Sequence, residues 1–494
     1  MNNYLLKYAV ALLMIMTFFT CSEDINDEIT ENSVDLELAS QLIDDLYAKM
    51  YTPGSGGTQS HADFGHKTYD LFSDILIGDM ALSNSIYGWY PEQNDEGTIA
   101  NVVAHLCTTD YTHESNYQVW THYYDTIEIA NTIIGFMGGD DANPETEEER
   151  HFLGQALAMR AHSYFYLAQY MANEYDPEAE ILPIYREANS DYMPKSTTVE
   201  VFQLIESDLN RAIDLLENYQ RPSKKYINKF MAQAILAYAI AAQKNVSRLA
   251  EVIALCDEVI TSSGATIMNY TEVTGGFNNV NTSGWIWGVD ITSEMNLRLV
   301  SWWGHVDAFS YSYAWAGDSK AIDQNLYNTI LTSDVRKAQF YIGSGYYNLM
   351  PLYKFYDADR IIGGPAGNVV SDYVYMRITE LHLLKAESLA KLGQDAEARV
   401  ALAEVLSERL PDLNYLNSLS GEELEDEIYL QTRIEFWGEG KTYLALKRND
   451  RMTGTRGDNH FIFVGESFSH NNEGLTFEIP QSEIENNPFI NEQN

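Results

Sequence analysis

"MRITELHLLKAESLAKLG" runs from Met376 to Gly393, and "QDAEARVALAEVLSERLP" from Gln394 to Pro411. The first stretch ends on glycine, the residue that most readily takes the left-handed backbone closing a helix. The second sets Ala396, Val400, Ala403, Leu406 and Leu410 at helical spacing and stops at Pro411, which cannot continue a helix. Residues 376–409 therefore read as a helix–turn–helix of 34 residues.

That is the length of a tetratricopeptide unit, and similar patterns lie upstream. Residues 118–137 place Trp120, Tyr124, Ile127, Asn131 and Ile134 on one stripe. Residues 148–173 carry Phe152, Ala156, Tyr164, Ala168 and Met171 at helical spacing. Thr197 with Glu200 makes a capping box opening a helix over 198–218. Residues 226–243 align Ile227, Phe230, Ala234, Tyr238 and Ala241. The fold expected is all-α dominated, with three or four diverged helix pairs as a scaffold over 36–263 and 373–494.

Between 264 and 372 glycine, asparagine, tyrosine and tryptophan replace alanine and leucine, with short strand-like pieces such as "SGWIWGVDI". This reads as a loop-rich insertion, and ligand sites tend to be built on loops held by a rigid frame. Inside it lies "SWWGHVDAFSYSYAW", residues 301–315. Phe309, Tyr311, Tyr313 and Trp315 alternate with small residues, the period of a half-buried strand. Trp302 and Trp303 are adjacent and cannot share one strand face. They are expected as an exposed platform.

The chain has 494 residues, 45% of them hydrophobic, enough for a sizeable core. Its 31 basic and 72 acidic residues give a net charge of −41. Nucleic-acid binding needs a cationic surface, so that class is set aside. The charge also disfavours anionic ligands unless a local basic pocket overrides it. Residues 1–20 carry Lys7 and the apolar run Ala9–Phe19, too short to span a bilayer and read as a secretory signal. Acidic residues 21–35 suit a flexible tether, leaving 36–494 as a single domain. Cys107 and Cys256 sit in apolar contexts and read as buried small hydrophobes.

Several stretches together resemble the SusD/RagB family, the surface nutrient-binding lipoproteins of glycan-foraging Gram-negative bacteria. They are "WTHYYDTIEIANTII" (120–134), "RAHSYFYLAQYMANEYD" (160–176), "YMRITELHLLKAESLAKLG" (375–393), "RIEFWGEGKTYLALKR" (433–448) and "FEIPQSEIENNPFINEQN" (477–494). Thr442 and Ala445 stand where the family usually has an arginine and an aspartate. Their joint loss fits a structural pair, and Arg160, Tyr164, Glu387 and Glu439 read as scaffold. Cys21, ending the apolar run, resembles a lipobox cysteine, and "SEDINDE" behind it resembles an outer-face export signal. The resemblance implies a SusD-like helical fold, no catalysis, and a lipid anchor at Cys21 in the outer membrane facing outward. It also implies delivery of oligosaccharide or polysaccharide to a SusC-like TonB-dependent transporter.

A sugar's C–H face stacks on indole and phenol rings. The glycan-binding residues expected are Trp302, Trp303, Trp89, Tyr90, Tyr313 and Trp315, with His305, Asn84 and Asn94 as hydrogen-bonding neighbours. Neutral glycans fit the charge better than sulfated or uronic ones. No cofactor or metal is expected, because His105, His113 and His122 match no ligand spacing. "TRGDN" at 455–459 reads as a turn. Two alternatives stay open: a peptide-binding family member, and a helical-scaffold glycosidase using two carboxylates across a cleft. Cys21→Ala should release the protein from the membrane fraction of cells whose wild-type protein is shaved by added protease. Membrane retention equal to wild type would refute the anchor.

Overall fold

In the computed structural model, which describes residues 32–84, 102–308, 312–358 and 369–494, Thr197 and Glu200 close the capping box set by their spacing. The Thr197 side chain accepts from Glu200 N–H, and the Glu200 carboxylate accepts from Thr197 N–H at 2.8 Å. The chain divides into two units, Met1–Leu38 and Ala39–Asn494. Its elements begin with helices α1 (Asn32–Ala48) and α2 (His66–Ile77), strand β1 (Met80–Leu82), then α3 (Glu114–Phe136) and α4 (Glu147–Met171). Strands β2 (Glu180–Pro183) and β3 (Lys195–Thr197) lead into α5 (Thr198–Leu215), α6 (Lys229–Ala242) and α7 (Leu249–Ser262). After short pieces that include β4 (Trp285–Val289) and β5 (Lys320–Ile322) come β6 (Tyr373–Arg377), α8 (Ile378–Lys391), α9 (Asp395–Leu406), α10 (Glu422–Glu435) and α11 (Lys441–Arg448). Among the described residues no helix is long and apolar enough to cross a membrane.

Each helix of the scaffold packs on the next: α3 on α4, α4 on α5, α5 on α6, α6 on α7. The series then jumps the intervening segment, since α7 packs on α8 and α8 on α9. Residues 264–372 are thus looped out of a continuous helical stack. They are tied back by antiparallel pairing of β4 with β6 and of β1 with β5.

Two details differ from the sequence reading. Helix α4 is buried on every side from Phe152 to Met171. Its Arg160 is accommodated by a bidentate pair with Asp208 at 2.8 Å and a bond to Asn131 Oδ1 at 2.9 Å. In α9 the inward face is Ala398, Ala401, Leu402 and Val405, whereas Val400 is 62% exposed. Alanines populate both sides of this helix, so spacing alone offers two stripes and the partner helix α8 selects one. Gly393 does take the left-handed backbone, with φ +70°.

The looped-out segment is also fastened by charge. Arg377, at the end of β6, binds Glu439 through Nε and Nη2 at 2.8 and 2.9 Å and Glu435 through Nη1 at 2.9 Å. Arg409, beyond α9, forms a second bidentate pair with Glu435 at 2.9 Å. From the looped-out segment come Arg336, 3.2 Å from Glu435, and Lys354, 2.8 Å from Glu439. All six side chains are buried. Burial pushes the Glu439 carboxyl up, but Arg377 and Lys354 outweigh it and bring it down to about 2 from an ordinary 4.5. Glu435 is likewise held well below its usual range, by Arg409 and Arg377 against burial.

A carboxyl with a depressed folded pKa contributes stability that is complete above its unfolded value and is lost as pH falls through the folded one. Stability should therefore drop between about pH 4.5 and 2, and Glu439→Gln should flatten that drop in acid titrations followed by circular dichroism. Glu435→Gln leaves three buried guanidinium groups short of a carboxylate. Urea unfolding at pH 7 should show a loss of about 3–5 kcal/mol; a loss under about 1 kcal/mol would contradict this account of the cluster.

Candidate functional site

Trp302 and Trp303 do not form an exposed platform. Ser301 caps the helical turn Trp302–Val306 by accepting from Gly304 N–H, and the two indoles are only 1% and 2% exposed. One helical step rotates neighbouring side chains by about 100°, so both can reach the interior, which a strand would forbid. The Trp302 ring meets Phe355 edge-on at 5.0 Å, with Lys67 Nζ 4.4 Å from its centroid. Trp303 Nε1 donates to Ser371 O at 2.7 Å. Phe355 in turn contacts Phe277 at 5.5 Å and Trp437 at 6.2 Å. The backbones crowd too, since a Cβ on Gly304 would lie 1.9 Å from Leu299 O. His305 is also interior, stacked on Phe64 at 5.0 Å with Nε2 2.8 Å from His61 O. Burial and then the Lys320 charge hold its imidazole well below the ordinary range, so it is neutral. These three expected site residues are core.

The expected strand over 309–315 is replaced, where described, by the helical turn Tyr313–Ala316 capped by Ser312. Phe309 and Tyr311 lie outside the described residues, as do Trp89, Tyr90 and Asn94. Tyr313 and Trp315 are half-buried and serve different ends. The Tyr313 hydroxyl meets His61 Nδ1 at 2.5 Å and its ring lies 5.1 Å from His305, which makes it a brace.

Trp315 lines a cleft of ≈ 250 Å³ together with Ala308, Tyr341, Tyr347, Met350, Pro351 and Leu352. A tight hairpin supplies most of it. Tyr341 N–H donates to Met350 O at 2.9 Å, Leu349 N–H donates back to Tyr341 O at 2.8 Å, and Phe340 bridges Pro351. A Cβ on Gly343 would come within 2.2 Å of the Tyr341 ring, so a larger residue there would displace that ring. The Tyr347 hydroxyl donates to Trp315 O at 3.1 Å and joins hairpin to turn. Asn84, expected as a ligand contact, instead donates its side-chain amide to Gly317 O, and its backbone carbonyl accepts from Ser319 N–H at 3.1 Å. It positions the turn that carries Trp315.

Sequence reasoning missed Tyr341 and Tyr347. The signal was present in "YIGSGYYNL" (341–349), tyrosines around a Gly-Ser-Gly loop. The described lining holds no carboxylate, imidazole or amine, so it offers a ligand ring faces, a thioether and apolar edges. Elsewhere the motif residues are occupied within the scaffold. Tyr164 exchanges bonds with Tyr185 through its hydroxyl, and Glu387 pairs bidentately with Arg448 at 2.8 Å. Thr442 and Ala445 are both fully buried. Cys107 and Cys256 are free and buried. Among the described residues no three metal-ligating side chains converge.

Residues 18–243 match the family described as "Starch-binding associating with outer membrane", and residues 265–494 match the SusD family. The chain belongs to the SusD/RagB family. Solved structures share the SusD fold. A SusD-like carbohydrate binding protein from Bacteroides vulgatus is 22% identical, with a TM-score of 0.74 over 92% of this chain and 97% of that one. A SusD superfamily protein from Bacteroides thetaiotaomicron is 20% identical, with a TM-score of 0.75 over 93% and 99%. Surface glycan-binding protein A from Bacteroides uniformis is 18% identical, with a TM-score of 0.67 over 93% and 98%. No curated protein matches. Within this SusD-type body the Trp302–Trp303 pair is structural. Trp302→Ala should cost about 3–5 kcal/mol of stability by cavity formation, seen as a lowered Tm. An unchanged Tm would put that ring back at the surface.

Proposed function

We propose that this SusD-family chain captures oligosaccharide or polysaccharide at the Trp315–Tyr341–Tyr347 cleft and passes it to a SusC-like TonB-dependent outer-membrane transporter. In this reading it is lipid-anchored through Cys21, faces outward and does no chemistry on the glycan. The observation that carries the reading is the cleft: aromatic and apolar, free of charge along its described lining, and mounted on a hairpin in the looped-out segment. The family supports it, and so do the names of two structural neighbours, one carbohydrate-binding and one glycan-binding.

Rings suit this task because a pyranose presents a flat C–H face that loses little hydration when covered. Two or three stacks at about 0.5–1.5 kcal/mol each, less ordering costs, give dissociation constants from mM to tens of μM. A protein that must release its cargo works in that range. Trp315→Ala and Tyr341→Ala should each weaken retention in native gels containing a neutral polysaccharide by about two- to tenfold. The Tm of Tyr341→Ala should hold, because Tyr341 is 40% exposed. Full retention by the double variant would refute the cleft as the glycan site. Reducing-end release from the same polysaccharides would refute the assignment as a binder without catalysis.

A further inference from the structure

A second cleft, also of ≈ 250 Å³, opens between the turn after α5, the start of α6 and strand β4. Arg221, Lys224, Asn228, Phe230, Ser283 and Trp285 line it, and among the described residues it shares no lining residue with the aromatic cleft. Its chemistry is opposite in sign to the protein's net charge of −41.

Neighbouring lysines on the same stretch are neutralised: Lys225 by Asp44 at 2.7 Å, and Lys229 by Glu217 at 2.7 Å. Arg221 and Lys224 are bound instead to backbone carbonyls, of Tyr226 at 3.2 Å and of Thr282 at 3.0 Å. Glu272, the carboxylate that acts on Lys224, is engaged by the N–H groups of Asn269 and Ser283 and by the Ser283 hydroxyl. Burial, and then the Arg221 charge, hold the Lys224 ammonium down at about 8. Two half-buried cations that repel each other are a standing cost, which a bound anion removes.

Two further features border the cleft. Helix α6 starts at its edge, where Met231 and Ala232 N–H turn back to Asn228 O at 3.0 and 3.1 Å. The N–H groups of Lys229 and Phe230 ahead of them have no intrahelical acceptor, and the helix end carries partial positive charge. Trp285 is 1% exposed, and its indole Nε1 has no hydrogen-bond acceptor. Trp287, Trp303 and Trp437 each give theirs to a backbone carbonyl. A buried donor left without an acceptor costs stability that a bound acceptor would recover.

We propose that this cleft binds the carboxylate or sulfate of a charged sugar, with Arg221 and Lys224 supplying the charge and the Trp285 indole N–H a directed hydrogen bond. The site is local, so it operates in spite of the long-range repulsion that the net charge exerts on polyanions. It would give the protein a second, charge-selective subsite alongside the aromatic one.

The test follows the Trp285 indole signal of the ¹⁵N-labelled full chain, assigned by Trp285→Phe. Glucuronate, sulfate and glucose are titrated separately at constant ionic strength. Glucuronate or sulfate should shift the signal saturably with a dissociation constant in the mM range, and the tighter of the two names the group. Arg221→Gln/Lys224→Gln should weaken that binding at least about tenfold. If the double variant does not fold, Lys224→Gln alone should weaken it in the same direction. The proposal is overturned if neither anion moves the signal, if glucose moves it equally, or if a folded charge variant binds as wild type does.

Discussion

Glu435 and Glu439 are where the separate parts of this protein meet. Between them they hold four cations contributed by three regions: Arg336 and Lys354 from the looped-out segment, Arg377 from the end of β6, and Arg409 from beyond α9. Asp334, 2.6 Å from Arg336, completes the set. Isolated ion pairs of this kind repay their desolvation poorly. Here three of the four glutamate oxygens each accept from two cations, and Glu439 Oε2 accepts from Arg377 Nε, so no member can leave without stranding another. The cluster acts as a registry device, because it can be satisfied only when the segment sits at one place on the helical stack.

The aromatic core extends that constraint towards the surface. Gly438 lies between the two glutamates in the chain with φ +78°, and a Cβ there would strike the Phe355 ring at 2.4 Å. Phe355 in turn packs on Trp302 and Trp437, and Trp437 meets Phe340 edge-on at 4.9 Å. Phe340 starts the hairpin that carries Tyr341. A chain of contacts therefore runs from buried charge through buried rings to the exposed ones, and the cleft is mounted on the core. A preorganised site spends less of its weak stacking energy on ordering.

The helical scaffold was legible in the sequence because its signals are local. Thr197 sees Glu200, Gly393 ends one helix, and the spacing of large apolar residues in α3 marks its buried face. Reading failed where the deciding partner is distant. The Ala-rich α9 offers two equivalent stripes until α8 chooses. Trp302 and Trp303 read as surface because adjacent residues cannot share one strand face, a limit that the helical turn they occupy removes. The Ser301 and Ser312 caps turn the described ends of residues 301–315 into helix. His305 and Asn84 were chosen for hydrogen-bonding capacity, yet both spend it on the fold. The charge cluster was invisible as a unit, since Arg336 and Glu435 are 99 positions apart, and with it went the reason the cleft sits where it does.

Hydrogen–deuterium exchange with and without a bound neutral polysaccharide tests the central claim most directly. If the glycan rests on Trp315, Tyr341 and Tyr347, added ligand should slow exchange in peptides covering 312–317 and 340–352, while 302–306 and 435–440, already protected by the core, stay unchanged. Protection confined to other peptides, with 340–352 exchanging as in the free protein, would contradict the account.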